Sequence, residues 1–369
     1  MKIALVHDYL NEFGGAERVL LALSEIWPKA PIYTAFYKKG SAAWERFKDK
    51  DVRVSWVDYI PGFAGKLHSP LRFLTPWIWN SFDFSEYDLV LGSASWYVTK
   101  GFKKKGKKTV EICYCHTPPR WLYGYPTSIE WQKYWPVRIY AKVVGYFMRQ
   151  YDFRAAQRVN WFIANSQNTA KRIEKFYRRE AEVIYPPVEL PKVGQVKRED
   201  YYLVASRIVG GKGLELAVRV ADRLNLKLKI AGEPAGYRQE QKRLESLSGG
   251  RVEFLGQVDD KELARLYAGA KAFLALASDE DFGMTPVEAM LMGTPVVAYR
   301  GGGYLESVVE GKTGVFFEKQ TVKSLGKAIE RLRKMKMKRE DCVRQAKKFS
   351  KERFKREIKE FVFQKAKKA

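Results

Sequence analysis

The chain has 369 residues, 46% of them hydrophobic, and carries 67 lysines and arginines against 42 aspartates and glutamates, a net charge of +25. That length exceeds one ordinary domain and supplies two cores, while the charge directs attention to polyanions: nucleic acid, anionic lipid or nucleotide diphosphates. Three cysteines, Cys113, Cys115 and Cys342, exclude an even disulfide framework and fit a reducing cytoplasm; no apolar run of about 18 residues offers a membrane span.

Short apolar strands alternate with amphipathic helices, the pattern of parallel α/β sheets. In the first half, strands are predicted at Ile3–Val6, Val52–Trp56, Leu89–Leu91, Thr109–Ile112 and Trp161–Ala164, with helices starting near Gly15 and Ser166 and a long aromatic helix between Trp131 and Gln157. The apolar run before His7-Asp8 is too short for the core of a secretory leader. Pro186-Pro187 and Pro191 punctuate the chain, because proline disfavours helix in the residue before it. A second series follows at Tyr202–Ala205, Leu228–Ala231, Val252–Leu255, Ala272–Leu276 and Val296–Ala298. The reading is two doubly wound domains, 1–187 and 188–350, followed by a basic helix in 351–369. Ligands of such sheets bind outside the carboxyl ends of the strands, so two domains facing one another would share a cleft there.

The motifs fall at those ends. Glu280-Asp-Phe-Gly-Met-Thr-Pro-Val-Glu288 sets two carboxylates around a turn that opens a helix. Backbone N–H groups near Gly283 and Met284 make an anion site, with Phe282 in the same turn. Glu280 can accept from sugar hydroxyls and Glu288 from a ribose diol. Arg207 and Lys212 flank a glycine-rich loop and can neutralise a departing nucleoside diphosphate; the Walker spacing is absent. Gly14-Gly15 lets the backbone turn after the first strand but lacks a dinucleotide fingerprint. Asp279-Glu280-Asp281 spells a metal-binding DxD, yet Arg207, Lys212 and the helix start supply the same charge, so no metal is expected. Gly302-Gly303 and Glu306 suit a loop-and-cap role as well as ligand contact. His7 ends the first strand, where it could reach the cleft, and His68 reads as surface.

Glu280 to Glu288, together with Gly14-Gly-Ala-Glu-Arg18, Tyr114-Cys-His-Thr-Pro-Pro-Arg120, Asn165-Ser166 and Ser206-Arg207 leading to Lys212-Gly213, resembles the retaining nucleotide-sugar glycosyltransferases of family 4. The string through His116 is similar to the mannosyltransferase branch of surface-polysaccharide assembly. The resemblance implies a GT-B fold of two Rossmann-like domains, a last helix that returns to the first domain, and no cofactor. It implies that the loop at Gly14 and Gly15 meets the donor diphosphate and the acceptor side, and that His116 lies by the donor sugar.

The function expected is retaining transfer of a sugar, with GDP-mannose the favoured donor, to a lipid-linked or glycan acceptor. UDP-sugar transfer is the alternative. A basic nucleic-acid-binding protein is the rival outside enzymes, but helix-turn-helix, zinc and RNP motifs are absent from the sequence. Basic and aromatic residues interleave at Lys103 to Lys108, Trp77, Trp79, Trp131 and Trp135, which suits a peripheral site on an anionic membrane at the inner face of the cell.

Overall fold

The computed structural model describes residues 1–125, 135–234 and 239–367; Trp131 of the aromatic helix lies outside them. They divide into two compact units: the first takes residues up to 187 and then 351 onward, the second 188–350.

The first unit is a seven-stranded parallel sheet of β1 (Ile3–His7), β2 (Ile32–Thr34), β3 (Val52–Val54), β4 (Leu89–Ala94), β5 (Val110–Cys115), β6 (Trp161–Ala164) and β7 (Ala181–Val183), in the order β3-β2-β1-β4-β5-β6-β7. The second is a six-stranded parallel sheet of β8 (Tyr202–Ala205), β9 (Leu228–Ala231), β10 (Val252–Gly256), β11 (Ala272–Ala275), β12 (Val296–Tyr299) and β13 (Gly314–Phe317), in the order β10-β9-β8-β11-β12-β13. Strands β1, β4, β5, β8 and β11 are buried along their whole length, which is why they read as continuous apolar runs rather than alternations. In each sheet the winding reverses beside the first strand, between β1 and β4 and between β8 and β11. The loops leaving the two strands that flank such a reversal start side by side at the carboxyl edge, the place where ligands of open parallel sheets bind.

Some strand limits differ from expectation. Cys113 and Cys115 lie inside β5, which runs three residues further than predicted, and both are buried. The strand at Val52 stops at Val54 because the Ser55 hydroxyl accepts from the Val57 amide and starts a 3-10 turn through Trp56. Strands β2, β7 and β13 were not anticipated.

The last helix, Lys351–Ala366, belongs to the first unit. Phe354, Ile358, Phe361 and Val362 recur at helical spacing and join the core formed by Leu5, Leu20, Leu23 and Ile112. Lys351 Nζ and Lys355 Nζ reach the two oxygens of Glu25 on the helix Gly15–Ile26, at 2.8 and 2.5 Å. Partial burial raises the Glu25 carboxyl, but the hydrogen bonds and charges of the two lysines outweigh it and hold the group below its ordinary value. A carboxylate so lowered stabilises the fold above its unfolded value and loses that contribution as pH falls through its folded value. Glu25→Gln should therefore cost up to about 1 kcal/mol at neutral pH, a small value because the pair is solvent-screened. The difference from the parent should vanish in acid, and denaturant melts at pH 7 and pH 3 check both; equal stability at pH 7 would show that the two lysines merely overlie Glu25.

Candidate active site

In the second unit the loops after β8 and β11 leave the sheet side by side, since these strands are paired. Gly213 at φ 71° lets the first loop press on the second: a Cβ there would lie 2.6 Å from the Leu276 Cβ. Lys212 on one loop and Glu280 on the other meet across the reversal, Nζ to Oε2 at 2.8 Å. Both are partly exposed, so the pair combines an anchored cation with an acceptor that a ligand hydroxyl can share. Arg207 is exposed on the β8 loop.

Behind Glu280 the chain is packed to contact. The Gly303 amide donates to the Glu280 carbonyl at 2.9 Å, and a Cβ on Gly302 would lie 2.3 Å from that carbonyl oxygen. This pair of glycines is thus a brace for the Glu280 loop. Gly283, at φ 83°, caps the helix Met284–Leu291. Phe282 is buried with its ring 5.3 Å from that of Phe349, so its side chain supports the turn from beneath and its main chain faces the helix start. Glu288 is 4% exposed on the helix and accepts from the Tyr267 hydroxyl at 2.9 Å. Glu280, Phe282, Gly283, Met284 and Glu288 therefore belong to one loop-and-helix unit, joined by Lys212.

The first unit carries its own polar group at the carboxyl edge. His7 at the end of β1 is in register with Ser93 on β4, and Nδ1 lies 3.0 Å from the Ser93 hydroxyl. That hydroxyl is also 2.8 Å from His116 Nε2, just past β5. On its other side His7 Nε2 is 3.4 Å from Glu17 Oε1, while Glu17 Oε2 accepts from the Gly14 amide at 2.8 Å. All four side chains are buried. Burial alone would raise the Glu17 carboxyl; the hydrogen bond and charge of His7 and the Gly14 amide outweigh this and lower it. Gly14 and Gly15 thus open a helix whose first turn is tied to His7.

Sequence reasoning named His116, Gly14 and Gly15 but not Ser93, Glu17 or Asp8. Asp8 is buried and accepts from Ser95 N and Oγ at 2.9 and 2.7 Å and from Thr99 Oγ1, which fixes the loop after β4. The available signal for Glu17 was its place three residues after Gly14, from which a carboxylate can reach back to the amide at the helix start, the acidic half of a capping box. Among the described residues, no group of three or more acidic, histidine or cysteine side chains is arranged to hold a metal ion.

Three surface assignments change. Trp79 is 2% exposed and donates its indole N–H to the Tyr97 carbonyl at 2.8 Å, so it belongs to the core. His68 is half-buried, its ring tilted against those of Tyr9 and Phe36, rather than free on the surface. Lys105, unlike the exposed Lys103, Lys104, Lys107 and Lys108, turns inward to Glu111 at 2.8 Å and to the Arg158 carbonyl at 3.0 Å. Burial pushes the Glu111 carboxyl up despite Lys105. Lys105→Gln should accordingly destabilise by about 3 kcal/mol, since it strands a buried acid, whereas Lys104→Gln should be near neutral. Chemical denaturation of the two variants compares them, and equal stabilities would remove Lys105 from the core.

Two parallel α/β units, each with polar groups gathered at its carboxyl edge, are what the comparisons match to glycosyltransferases. Residues 13–192 match the domain described as Glycosyltransferase Family 4 and residues 188–349 that described as Glycosyl transferases group 1. The chain belongs to the family 4 glycosyltransferases and is mannosyltransferase-like. It is 26% identical to the Mus musculus alpha-1,3/1,6-mannosyltransferase ALG2 over 353 residues, 84% of this chain and 82% of that protein. The crystal structure of Anabaena HepE in complex with UDP and glucose superposes with a TM-score of 0.71 at 20% identity, over 98% of this chain and 99% of HepE. The lipopolysaccharide outer core galactosyltransferase WaaB, in its apo form, gives 0.68 at 17% identity, covering 99% and 100%. These structures share the GT-B fold.

Proposed function

We propose that this chain transfers mannose from GDP-mannose, with retention at the anomeric carbon, to a lipid-linked or glycan acceptor. The observation that carries the reading is the Lys212–Glu280 pair set over the strand reversal of the second sheet, beside the Gly283 helix start. In this reading Lys212 and Arg207 take up the charge that grows on the departing diphosphate, together with the amides at Gly283 and Met284. Glu280 accepts from hydroxyls of the donor sugar. Glu288, its Oε2 held by Tyr267, presents its carboxylate to the ribose diol. The acceptor oxygen bonds to the anomeric carbon on the face from which the diphosphate leaves. The bond from that carbon to the phosphate oxygen breaks, its electron pair goes to the phosphate, and the phosphate takes the acceptor proton. His116 and the loop at Gly14 and Gly15 serve the sugar and the acceptor side.

The ALG2 likeness supports mannose; the UDP and glucose in the HepE structure favour a second reading in which the donor is a UDP-sugar. A thermal-shift screen with GDP-mannose, UDP-glucose and ADP-glucose, followed by a transfer assay, separates them, because a ligand of the native state raises its melting temperature. Stabilisation by UDP-sugars alone would overturn the GDP-mannose assignment.

Glu280→Gln and Lys212→Ala should each lower transfer about a hundredfold with the fold intact, since each removes charge complementary to the transition state. Near-parent turnover in either variant would dismiss this site. Transfer should also persist in EDTA, because protein cations meet the diphosphate. Complete loss restored by Mg²⁺ or Mn²⁺ would instead give the diphosphate to a metal at Asp279 and Asp281.

The membrane role rests on a face of the first unit. No helix among the described residues is long and apolar enough to cross a bilayer. The helix Trp135–Arg158 exposes Trp135, Ile139, Val143, Tyr146 and Phe147. At about 100° per residue these fall in an arc of about 120°, with Arg138 and Lys142 along one flank. Such a face suits the headgroup boundary of an anionic bilayer at the inner side of the cell membrane. Vesicle sedimentation should show salt-sensitive binding to anionic lipid that Ile139→Asn with Phe147→Asn abolishes. Binding that survives both changes would free this helix from the role.

A further inference from the structure

We infer that Arg72, framed by Trp96 and Trp121 at the carboxyl edge of the first sheet, binds a phosphate group of the acceptor. The inference rests on the proposed reading, since it takes the acceptor of that reading to be a lipid-linked phosphate ester. The Arg72 guanidinium lies 5.7 Å from the centroid of the Trp96 ring and 4.9 Å from that of Trp121. The two indole residues are tied to one another, Trp121 Nε1 donating to the Trp96 carbonyl at 3.2 Å. All three residues are partly exposed. Trp96 follows β4 on the loop that Asp8 fixes, its amide donating to Asp8 Oδ2 at 2.5 Å, and Trp121 lies in the 3-10 turn Arg120–Leu122 after β5. The cation is therefore held between the loops that leave β4 and β5, at the edge where ligands of parallel sheets bind.

A guanidinium taken partly out of water calls for an anion. Two other enclosed cations of this unit have one: Lys100 pairs with Asp152, and Lys105 with Glu111. Arg72 does not. Its Nε donates to the Ser69 carbonyl at 2.6 Å and its Nη2 to the Ser69 hydroxyl, while among the described residues Nη1 has no hydrogen-bond partner and no aspartate or glutamate lies within ion-pair distance. The titratable groups that face it are Tyr9, Tyr97, Tyr140 and His68. Burial raises the three tyrosines, and burial with the charge of Arg72 lowers His68, so all four are neutral near pH 7. The charge is left for a ligand to meet.

The fork of a guanidinium matches the oxygens of a phosphate, and stacking against indole rings fixes its plane. The surroundings of Arg72 select the kind of phosphate. Tyr140 on the helix Trp135–Arg158 donates its hydroxyl to the Pro70 carbonyl, and Phe73 packs against the cluster of Leu122 and Met148. The segment that carries Arg72 therefore rests on the helix that exposes Ile139, Val143 and Phe147. An alkyl phosphate at Arg72 has this apolar surface beside it, which inorganic phosphate would not use. The place of the guanidinium between two loops of the carboxyl edge, rather than on the open face of the helix, assigns the phosphate to an acceptor and not to the headgroups of a bilayer.

Isothermal titration of the full chain with octyl phosphate, octanoate and octyl glucoside, each kept below micelle formation, tests this without any donor. The parent should bind octyl phosphate about tenfold or more tightly than either of the others, as a charged hydrogen-bonded pair provides. Arg72→Met keeps the stem, removes the charge and should erase the preference, while Arg72→Lys should restore only part of it, because the planar fork is missing. A parent that binds octyl phosphate and octyl glucoside alike would overturn the inference whatever the variants do, and a preference that persists in Arg72→Met would do the same. Octanoate bound as tightly as octyl phosphate would overturn the phosphate assignment. The preference should survive in Lys212→Ala; its loss there would move the phosphate to the proposed donor site. Sedimentation with phosphatidylglycerol vesicles should change by less than about twofold in Arg72→Met, since a basic residue at the bilayer surface would contribute more than that. A loss as large as that for octyl phosphate would give Arg72 to the headgroups instead. Sugar transfer by a parent without the preference would overturn the Arg72 site and keep the proposed function, whereas the preference without transfer would keep the anion site and refute the reading on which its acceptor rests.

Discussion

A parallel sheet cannot be closed by hairpins; each strand must be followed by a crossover, and every crossover leaves from the same edge. That constraint organises both units. It delivers the loops carrying Gly14, His116 and Asn165 to one edge of the first sheet and those carrying Arg207, Glu280 and Gly302 to one edge of the second. Within each sheet, the reversal of winding beside the first strand then selects which two loops can touch. Lys212 with Glu280 and His7 with Ser93 are the two results, one at each reversal. Residues 68 and 86 positions apart become neighbours because their strands are adjacent.

The two groupings differ in how far they are sealed. The line from Glu17 to His116 is buried throughout, so its hydrogen bonds act in a low-dielectric setting and hold one another in place. Lys212 and Glu280 keep 32% and 21% of their side-chain surface, about a third and a fifth. A ligand can therefore exchange with the second pair at small cost, whereas the first is part of the scaffold. The Gly302-Gly303 brace is the counterpart in the second unit: it makes the Glu280 main chain rigid while leaving the carboxylate accessible.

Much of the architecture is readable from the chain because the central strands are apolar on both faces, and Trp161–Ala164, Tyr202–Ala205 and Leu228–Ala231 have the limits that their apolar runs suggest. Strands β2 and β7 have three residues each and β13 begins at a glycine, so no run marks them; neighbours in the sheet supply what propensity does not. Site residues on loops were legible where glycine, proline or paired charge singled them out. Ser93 was not, since a serine inside a buried strand has meaning only through the strands on either side. Lys105 was indistinguishable from the four lysines around it; the return of the chain through β5 puts Glu111 beneath that one alone.

The closing helix has a consequence for how the protein is made. The core of the first unit is complete only when Phe354, Ile358, Phe361 and Val362 are in place, although the strands they cover begin at Ile3. During synthesis the second unit, residues 188–350, emerges whole while the first still lacks one wall, so the part translated later is the part able to close first. Until the helix Lys351–Ala366 is in place, Leu20, Leu23 and Ile112 lack that part of their cover. A chain that stopped before Lys351 would therefore leave the core of the first unit open while containing every described residue of the second.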